Sequence, residues 1–111
     1  KEALDSVNML LALDEKDVDL TKRKGALLRK LGFFNESIET LNLLIRRGKI
    51  DVEVYYNLAF NYVALVDYDN AKEMFKKCIT LEPNNPYAHK DLGVLYLKMN
   101  FFQYFLIDHL K

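Results

Sequence analysis

Glycine, proline, cysteine and tryptophan are scarce in this 111-residue sequence. It contains 4 glycines, 2 prolines, 1 cysteine and no tryptophan, while 50% of its residues are hydrophobic. Because glycine and proline dominate tight turns, their scarcity argues against a turn-rich β-fold and favours helices. The single cysteine, Cys78, excludes a disulfide within the chain and is compatible with a reducing compartment. The length suits one domain and not two.

An excess of one charge sign is also missing. The chain carries 16 lysines and arginines against 16 acidic residues, so as a whole it is not an electrostatic binder of nucleic acid or membranes. Residues 18–51 are the most basic part of the chain, with eight cationic and four acidic side chains. That patch could meet an acidic peptide or RNA, but no basic-aromatic RNA motif accompanies it. We therefore expect no nucleic-acid partner and no membrane partner.

No hydrophobic run is long enough to suggest a signal peptide or a transmembrane helix. The longest apolar stretch lies near residues 101–107, where Gln103 interrupts it. The sequence begins with Lys1 inside a helical pattern of apolar residues, so we interpret it as a fragment of a longer protein. Targeting signals could lie outside it, and the expected location is cytoplasmic.

The motifs of common catalytic and metal sites are missing too. The sequence has no phosphate-binding loop, no G-x-S-x-G, no H-E-x-x-H and no C-x-x-C. Its two histidines, His89 and His109, have no paired ligands near them in the sequence, and a zinc site needs three or four. We expect a non-catalytic protein without a metal or cofactor.

A spaced set of residues between positions 55 and 85 organises the chain. An aromatic residue is followed by Leu-Ala, a tyrosine, an alanine, a phenylalanine and a proline. These residues are Tyr55, Leu58, Ala59, Tyr62, Ala71, Phe75 and Pro83. Their order and spacing resemble the tetratricopeptide repeat (TPR), whose period is 34 residues. Tyr55 stands where the family pattern has tryptophan, and Ala59 stands where it has glycine.

The resemblance implies an all-α fold, a right-handed α-solenoid of antiparallel helix pairs. In each pair, small residues at positions 8 and 20 let the first helix (A) and the second helix (B) approach closely. Ala59 and Ala71 fill these two positions here. Such a pair cannot bury its apolar face alone, so neighbouring repeats must stack.

The 34-residue register extends in both directions without a gap. It predicts a second helix of a preceding repeat in residues 1–17, repeats in 18–51 and 52–85, and a third repeat in 86–111. Position 8 is then Gly25, Ala59 and Gly93, and position 20 is Ala3, Ser37, Ala71 and Phe105. Helix N-caps are expected at Asp17, at Asp51, at Asp67 or Asp69, and at Asn85.

The third repeat departs from the pattern in its second half. Phe105 is too large for position 20, and His109 occupies position 24. We expect residues 101–111 to form a divergent second helix, either a natural cap or a cut edge. In the same register Cys78 falls at a position that usually holds alanine, which favours a packed small side chain over a reactive thiol. His89 is expected to pack half-buried in an aromatic position.

By the resemblance, side chains of the A helices face a concave groove that binds a partner peptide or protein segment. The middle of this groove is apolar and aromatic, and basic residues stand at both ends. We expect a protein or peptide partner with apolar and acidic residues. The predicted groove residues are Lys22, Ala26, Arg29, Lys30, Tyr56, Asn57, Phe60, Val63, Tyr87, Lys90, Val94 and Lys98.

One branch of the family grips the C-terminal carboxylates of chaperones with five defined residues. Lys22 and Asn57 match that clamp, whereas Ala26, Tyr87 and Asp91 do not. Asp91 would repel a carboxylate, so we expect no tight binding of chaperone tails.

Two other functions remain open at this point. The chain could be a self-assembly module that stacks through its ends, with Ala3, Val7, Leu10 and Leu11 at one end and residues 101–105 at the other. It could also be the non-catalytic arm of a larger enzyme.

Overall fold

The structure, a computed structural model, describes the backbone of residues 1–110 and the side chains of residues 1–107. These residues form six α-helices and no strand, which confirms the predicted all-α fold. Each helix packs against the next along the chain, and α2 also contacts α4. The helices are α1 (Glu2–Leu13), α2 (Val18–Lys30), α3 (Phe34–Arg46), α4 (Val52–Ala64), α5 (Tyr68–Leu81) and α6 (Pro86–Leu110).

Polar side chains fix where four of the helices begin. The side-chain oxygens of Asp17, Asp51, Asp67 and Asn85 each accept a hydrogen bond from a backbone amide two or three residues later. These bonds satisfy donors that a helix start leaves free. The predicted caps are therefore present, and α5 uses Asp67 rather than Asp69.

The turn between the two helices of a repeat contains one residue in the left-handed conformation. This residue has the same position in the first and second repeats. Gly32 has a φ of 88° between α2 and α3, and Val66 has a φ of 59° between α4 and α5. Glycine adopts this conformation freely, whereas valine is strained in it. Asn100 holds the same position in the third repeat, but there the chain stays helical.

The divergent second helix expected in residues 101–111 is not a separate helix in residues 101–110. Instead α6 runs without a break for 25 residues from Pro86 to Leu110. No glycine or proline stands near Asn100 to end it, and the ring of Phe102 packs edge-on against Tyr68 at 6.1 Å. This contact joins the continued helix to α5. The side chain of His109 lies outside the described residues.

The crossing of α2 and α3 depends on the small residues at positions 8 and 20. A Cβ atom added to Gly25 would lie 2.5 Å from Cδ2 of Leu41, a distance that no packed side chain tolerates. The hydroxyl of Ser37 donates to the Gly25 carbonyl oxygen at 2.6 Å. At the equivalent crossing of α4 and α5, Ala59 and Ala71 are fully buried. Small residues are therefore buried at both crossings, as the pattern predicts.

A chain of buried hydrogen bonds, which the sequence analysis did not predict, connects α4 to this crossing. The side-chain amide of Asn61, which is 0% exposed, donates to the Ser37 hydroxyl at 2.8 Å. Ser37 in turn donates to Gly25, so one chain of hydrogen bonds spans α4, α3 and α2. The Oδ1 atom of Asn61 is buried and has no hydrogen-bond partner among the described residues.

The buried, unreactive position predicted for Cys78 is confirmed, whereas the half-buried position predicted for His89 is not. Cys78 is fully buried in the core, and its Sγ lies 3.7 Å from the Val52 carbonyl oxygen. Burial, followed by the nearby charge of Glu82, raises the pKa of the Cys78 thiol to about 12, so the thiol stays neutral and packs as expected. The half-buried position predicted for His89 is wrong. The ring is exposed, with Nε2 2.7 Å from the Pro83 oxygen, because no helix in the described residues packs on that side of α6.

Two absences hold for the part of the chain that the structure describes. None of its helices combines the length and apolarity needed to cross a bilayer. No group of three or more His, Cys, Asp or Glu side chains is arranged to hold a metal ion.

Candidate interaction site

A cleft of about 130 Å³ lies between α4 and α6 and is supported from below by α5. Its floor is apolar, and one carboxylate and one ammonium group stand at its edge. Phe60 and Val94 are 38% and 44% exposed, so their side chains can be reached from solvent. The lining residues are Phe60, Val63, Phe75, Asp91, Val94, Leu95 and Lys98.

Two aromatic residues that line this cleft, Phe60 of α4 and Phe75 of α5, pack together with the ring of Tyr56. Tyr56 and Phe60, one helical turn apart, have ring centroids 5.6 Å apart. The buried ring of Phe75 lies edge-on to both, at 5.9 Å from Tyr56 and 5.7 Å from Phe60. Edge-to-face contacts of this kind fix ring orientation, and each contributes roughly 0.5–1.5 kcal/mol. The Phe60 ring is therefore held in place before any ligand arrives.

Arg29 from α2 is positioned across the outer side of Phe60. Its guanidinium carbon lies 5.6 Å from the Phe60 centroid, a cation–π distance. The Nε atom of Arg29 donates to Asn57 Oδ1 at 2.8 Å, and Asn57 Nδ2 donates to the Glu53 carbonyl oxygen at 3.1 Å. Only Nε is engaged among the described residues, so the two terminal NH₂ groups can still bind a carboxylate.

Tyr56 and Asp91 bring a carboxylate and a buried hydroxyl together on the inner side of the cleft. Burial, followed by the charge of Asp91, raises the pKa of Tyr56 to about 12. The Tyr56 hydroxyl is shielded from solvent and has no hydrogen-bond partner of acceptable geometry among the described residues. Asp91 forms no ion pair with any described cation. Its carboxylate therefore gives the inner side of the cleft a negative charge.

Lys22, a predicted groove cation, is already paired within the chain. Its Nζ lies 3.0 Å from Asp51 Oδ2 and 3.6 Å from Glu53 Oε2. The hydrogen bond to Asp51 raises the pKa of Lys22 despite partial burial. Burial alone would raise the pKa of Asp51, but the hydrogen bonds from Lys22 and the Glu53 amide outweigh it and lower that pKa. Lys22 therefore joins α2 to the start of α4 and is not free to hold a ligand.

The structure brings seven of the twelve predicted groove residues into one neighbourhood. Phe60, Val63, Val94 and Lys98 line the cleft, and Arg29, Tyr56 and Asn57 contact Phe60 or Arg29. The other five take no part in lining it. Lys22 is paired as described, Ala26 is half-buried, Lys30 and Lys90 are exposed, and Tyr87, 71% exposed, borders a separate hollow beside residues 82–86.

Three lining residues were not among the twelve. Phe75 was assigned only to packing within its helix pair, yet its ring reaches the cleft through the crossing of α4 and α5. Asp91 occupies the same register position as Asn57, which was a signal for including it. Leu95 is nearly fully buried and closes the floor from α6.

Comparison with known proteins identifies the same repeat boundaries as the sequence pattern for residues 52–85. A family model described as a tetratricopeptide repeat matches residues 52–85. The fission yeast TPR repeat protein oca3 is 31% identical over 96 residues, which cover 86% of this chain and 34% of that protein. The mouse BBSome complex member BBS4 is 29% identical over 98 residues, covering 88% of this chain and 19% of BBS4. The chain thus spans only about a third and a fifth of these two relatives.

Solved structures share the architecture. MamA from Desulfovibrio magneticus superposes with a TM-score of 0.83 at 22% identity, covering 89% of this chain and 56% of that one. The first TPR of Spaghetti (RPAP3), bound to the HSP90 peptide SRMEEVD, superposes with a TM-score of 0.82 at 21% identity, covering 89% and 79%. At these identities the likeness shows the fold, and it confirms the predicted α-solenoid. Together with the family match at residues 52–85, these findings confirm the predicted resemblance to the tetratricopeptide repeat family.

Proposed function

We propose that this chain binds an extended segment of a partner protein in the cleft between α4 and α6. Tetratricopeptide repeat domains are protein–protein interaction scaffolds and are generally non-catalytic, and stacked repeats offer an extended concave surface. The proposal depends mainly on one observation: the side chains around Phe60 hold its ring in a defined orientation in the absence of a ligand. Its exposed ring is oriented by Tyr56 and Phe75 and is flanked by a fixed arginine.

The cleft defines the chemistry of the segment. Its floor of Phe60, Val63 and Val94 suits one apolar side chain of about leucine size. The free NH₂ groups of Arg29 and the ammonium of Lys98 suit acidic groups beside that side chain. The partner segment therefore carries an apolar residue next to acidic ones.

Short model peptides can test this proposal directly. We expect Ac-Ala-Glu-Leu-Glu-Ala-NH₂ to shift the backbone amide signals of Phe60, Val63 and Val94 in NMR titrations. Replacing the glutamates with lysines, or the leucine with serine, should weaken binding by at least about fivefold, since each change removes one of the two complementary features. Shifts confined to another surface, or equal affinities for all three peptides, would contradict the proposal.

A pair of variants on α6 provides the matched control. Val94→Glu places a charge in the cleft, whereas Leu97→Glu places the same charge on an exposed residue that does not line it. Binding of the leucine peptide should be lost only with Val94→Glu. Circular dichroism should show unchanged helix content for both, because both side chains are already exposed.

A chaperone-tail peptide should not bind tightly. Two of the clamp residues, Lys22 and Asn57, are held by hydrogen bonds within the chain, and Asp91 places a negative charge where a carboxylate would lie. For the peptide SRMEEVD we expect a dissociation constant in roughly the millimolar range, measured by calorimetry or NMR. Micromolar binding with shifts centred on Lys22 and Asn57 would show this prediction to be wrong.

A further inference from the structure

Asp91 places a carboxylate in the cleft that no described cation neutralises. It lies on α6 one helical turn before Val94, and both residues line the cleft. Its side chain is half-buried, and it forms no ion pair and no hydrogen bond of good geometry with the described residues. Because partial burial reduces the screening of a charge by water, a cation that reached Asp91 would be attracted more strongly than at an exposed carboxylate.

A second unpaired polar group, the hydroxyl of Tyr56, lies beside this carboxylate. It is shielded from solvent and has no hydrogen-bond partner among the described residues, which is unfavourable for a buried hydroxyl. Burial, followed by the charge of Asp91 and more weakly that of Glu82, raises the pKa of Tyr56 to about 12, so the hydroxyl keeps its proton. A small rotation of the Asp91 side chain would let this hydroxyl donate to one carboxylate oxygen. The other oxygen would remain free to accept from a ligand.

Opposite charges stand at the two ends of the cleft along α6. Asp91 is at one end, and Lys98, seven residues later, is at the other, with Val94 between them. Seven helical residues rise roughly 10 Å. Lys98 is exposed and has no ion pair among the described residues. An extended segment advances about 3.3 Å per residue and its alternate side chains share one face, so charged residues two positions before and after an apolar one can reach both ends.

We propose that Asp91 binds a lysine or arginine side chain of the partner segment, while an apolar residue fills the cleft and an acidic residue meets Lys98. This role of Asp91 rests on the proposed function and makes its ligand more specific. The cation donates to one oxygen of Asp91 and the Tyr56 hydroxyl donates to the other, so Tyr56 is a positioning residue. A segment with acidic residues on both sides would bring one of them against Asp91, and a segment with basic residues on both sides would bring one against Lys98.

Three blocked peptides that differ only in their charges test this pattern in NMR titrations that follow the amides of Phe60 and Val94. Ac-Glu-Ala-Leu-Ala-Lys-NH₂ should bind about three- to tenfold more tightly than Ac-Glu-Ala-Leu-Ala-Glu-NH₂, and Ac-Lys-Ala-Leu-Ala-Lys-NH₂ should bind most weakly. Because the peptides are acetylated, lysine side chains are their only cations. The advantage of the mixed peptide over the two-glutamate peptide should be lost in Asp91→Asn and reversed in Asp91→Lys.

Two further variants separate the charge of Asp91 from general effects. Glu73→Gln removes one negative charge from an exposed position of α5 outside the cleft, so it should keep the preference of the parent chain. Tyr56→Phe keeps the ring and removes only the hydroxyl. It should reduce the advantage of the mixed peptide by about twofold and leave the affinity for the two-glutamate peptide unchanged. Equal weakening of all three peptides would overturn the positioning role of Tyr56.

The two-glutamate peptide distinguishes a failure at Asp91 from a failure of the proposed function. If this peptide shifts the signals of Phe60 and Val94 but the mixed peptide binds no more tightly, only the role of Asp91 is overturned. An unchanged preference for the mixed peptide in Asp91→Asn, with a folded variant by circular dichroism, overturns that role as well. If none of the three peptides shifts these signals, the proposed function and the role of Asp91 are both wrong.

Discussion

Asn61→Asp should destabilise the fold by about 3 kcal/mol or more at neutral pH and by much less near pH 3. Asn61 is fully buried and donates a hydrogen bond to Ser37, while its Oδ1 accepts none from the residues that the structure describes. A carboxylate there would be charged in an apolar core, and it would draw the Ser37 hydroxyl away from the Gly25 oxygen. This single-atom change affects the joint between the first and second repeats.

The loss of stability caused by Asn61→Asp should increase as the pH rises. Burial would raise the folded-state pKa of the new carboxyl above its unfolded value of about 3.9. The folded state then holds more protons, so the variant loses stability relative to the parent as pH rises from about 4 to the raised pKa, by about 1.4 kcal/mol per unit. Urea unfolding of the variant and the parent at matched pH values, from 3 to 7, measures this difference.

Asn61→Leu is the control for shape. It removes the donor to Ser37 together with the unpaired oxygen, and Ser37 can still donate to Gly25. We expect a stability within about 1 kcal/mol of the parent, because no buried polar group is newly left unpaired. Equal, pH-independent losses from both substitutions would mean that packing, and not the buried charge, decides the outcome at this position.

Gly25→Ala should destabilise the chain by about 1–3 kcal/mol, although alanine is the better helix former. The added methyl would lie 2.5 Å from Cδ2 and 2.7 Å from Cγ of Leu41, which is itself fully buried and has no room to move. Moving α3 outward instead would stretch the bond between Ser37 and the Gly25 oxygen. Chemical denaturation of the purified variant measures the loss.

Gly93→Ala is the matched substitution in a helix of the same register. Nothing lies within 4 Å of the added methyl, so only helix propensity acts, and we expect a gain of about 0.5–1 kcal/mol. If both substitutions stabilised the protein equally, the close crossing of α2 and α3 would be disproved.

The helix pairs could be predicted because their signals are local and repeated. Caps such as Asp17 and Asp51 act on amides two or three residues away, and the small residues at Gly25 and Ala59 recur with a fixed period. The end of the chain could not be predicted in this way. The register placed a turn at Asn100, but a turn needs residues that end the helix and a second helix that packs back, and neither is present in the described residues.

The candidate site was predictable as a surface but not as a set of contacts. The register indicated which side chains of α2, α4 and α6 share one face. It gave no sign that Lys22 would be bound by Asp51, 29 residues away, or that Phe75 would reach the cleft from α5. Both results depend on how neighbouring helices are spaced and tilted. The exposure of His89 has the same kind of cause, since a packing position is buried only where another helix covers it.

The unequal joints between repeats have a mechanical consequence. At the joint of α2 and α4, polar ties stand at both ends, from Lys22 to Asp51 and from Arg29 to Asn57. Among the described residues no ion pair links α4 to α6. The Tyr56 hydroxyl lies near Asp91 without a well-formed hydrogen bond, and the cleft occupies that joint. The solenoid is thus a stiff segment followed by a softer hinge. A segment wedged into the hinge would change the pitch of the superhelix there, so that binding on one side of α6 would alter the angle at which α6 presents its opposite side.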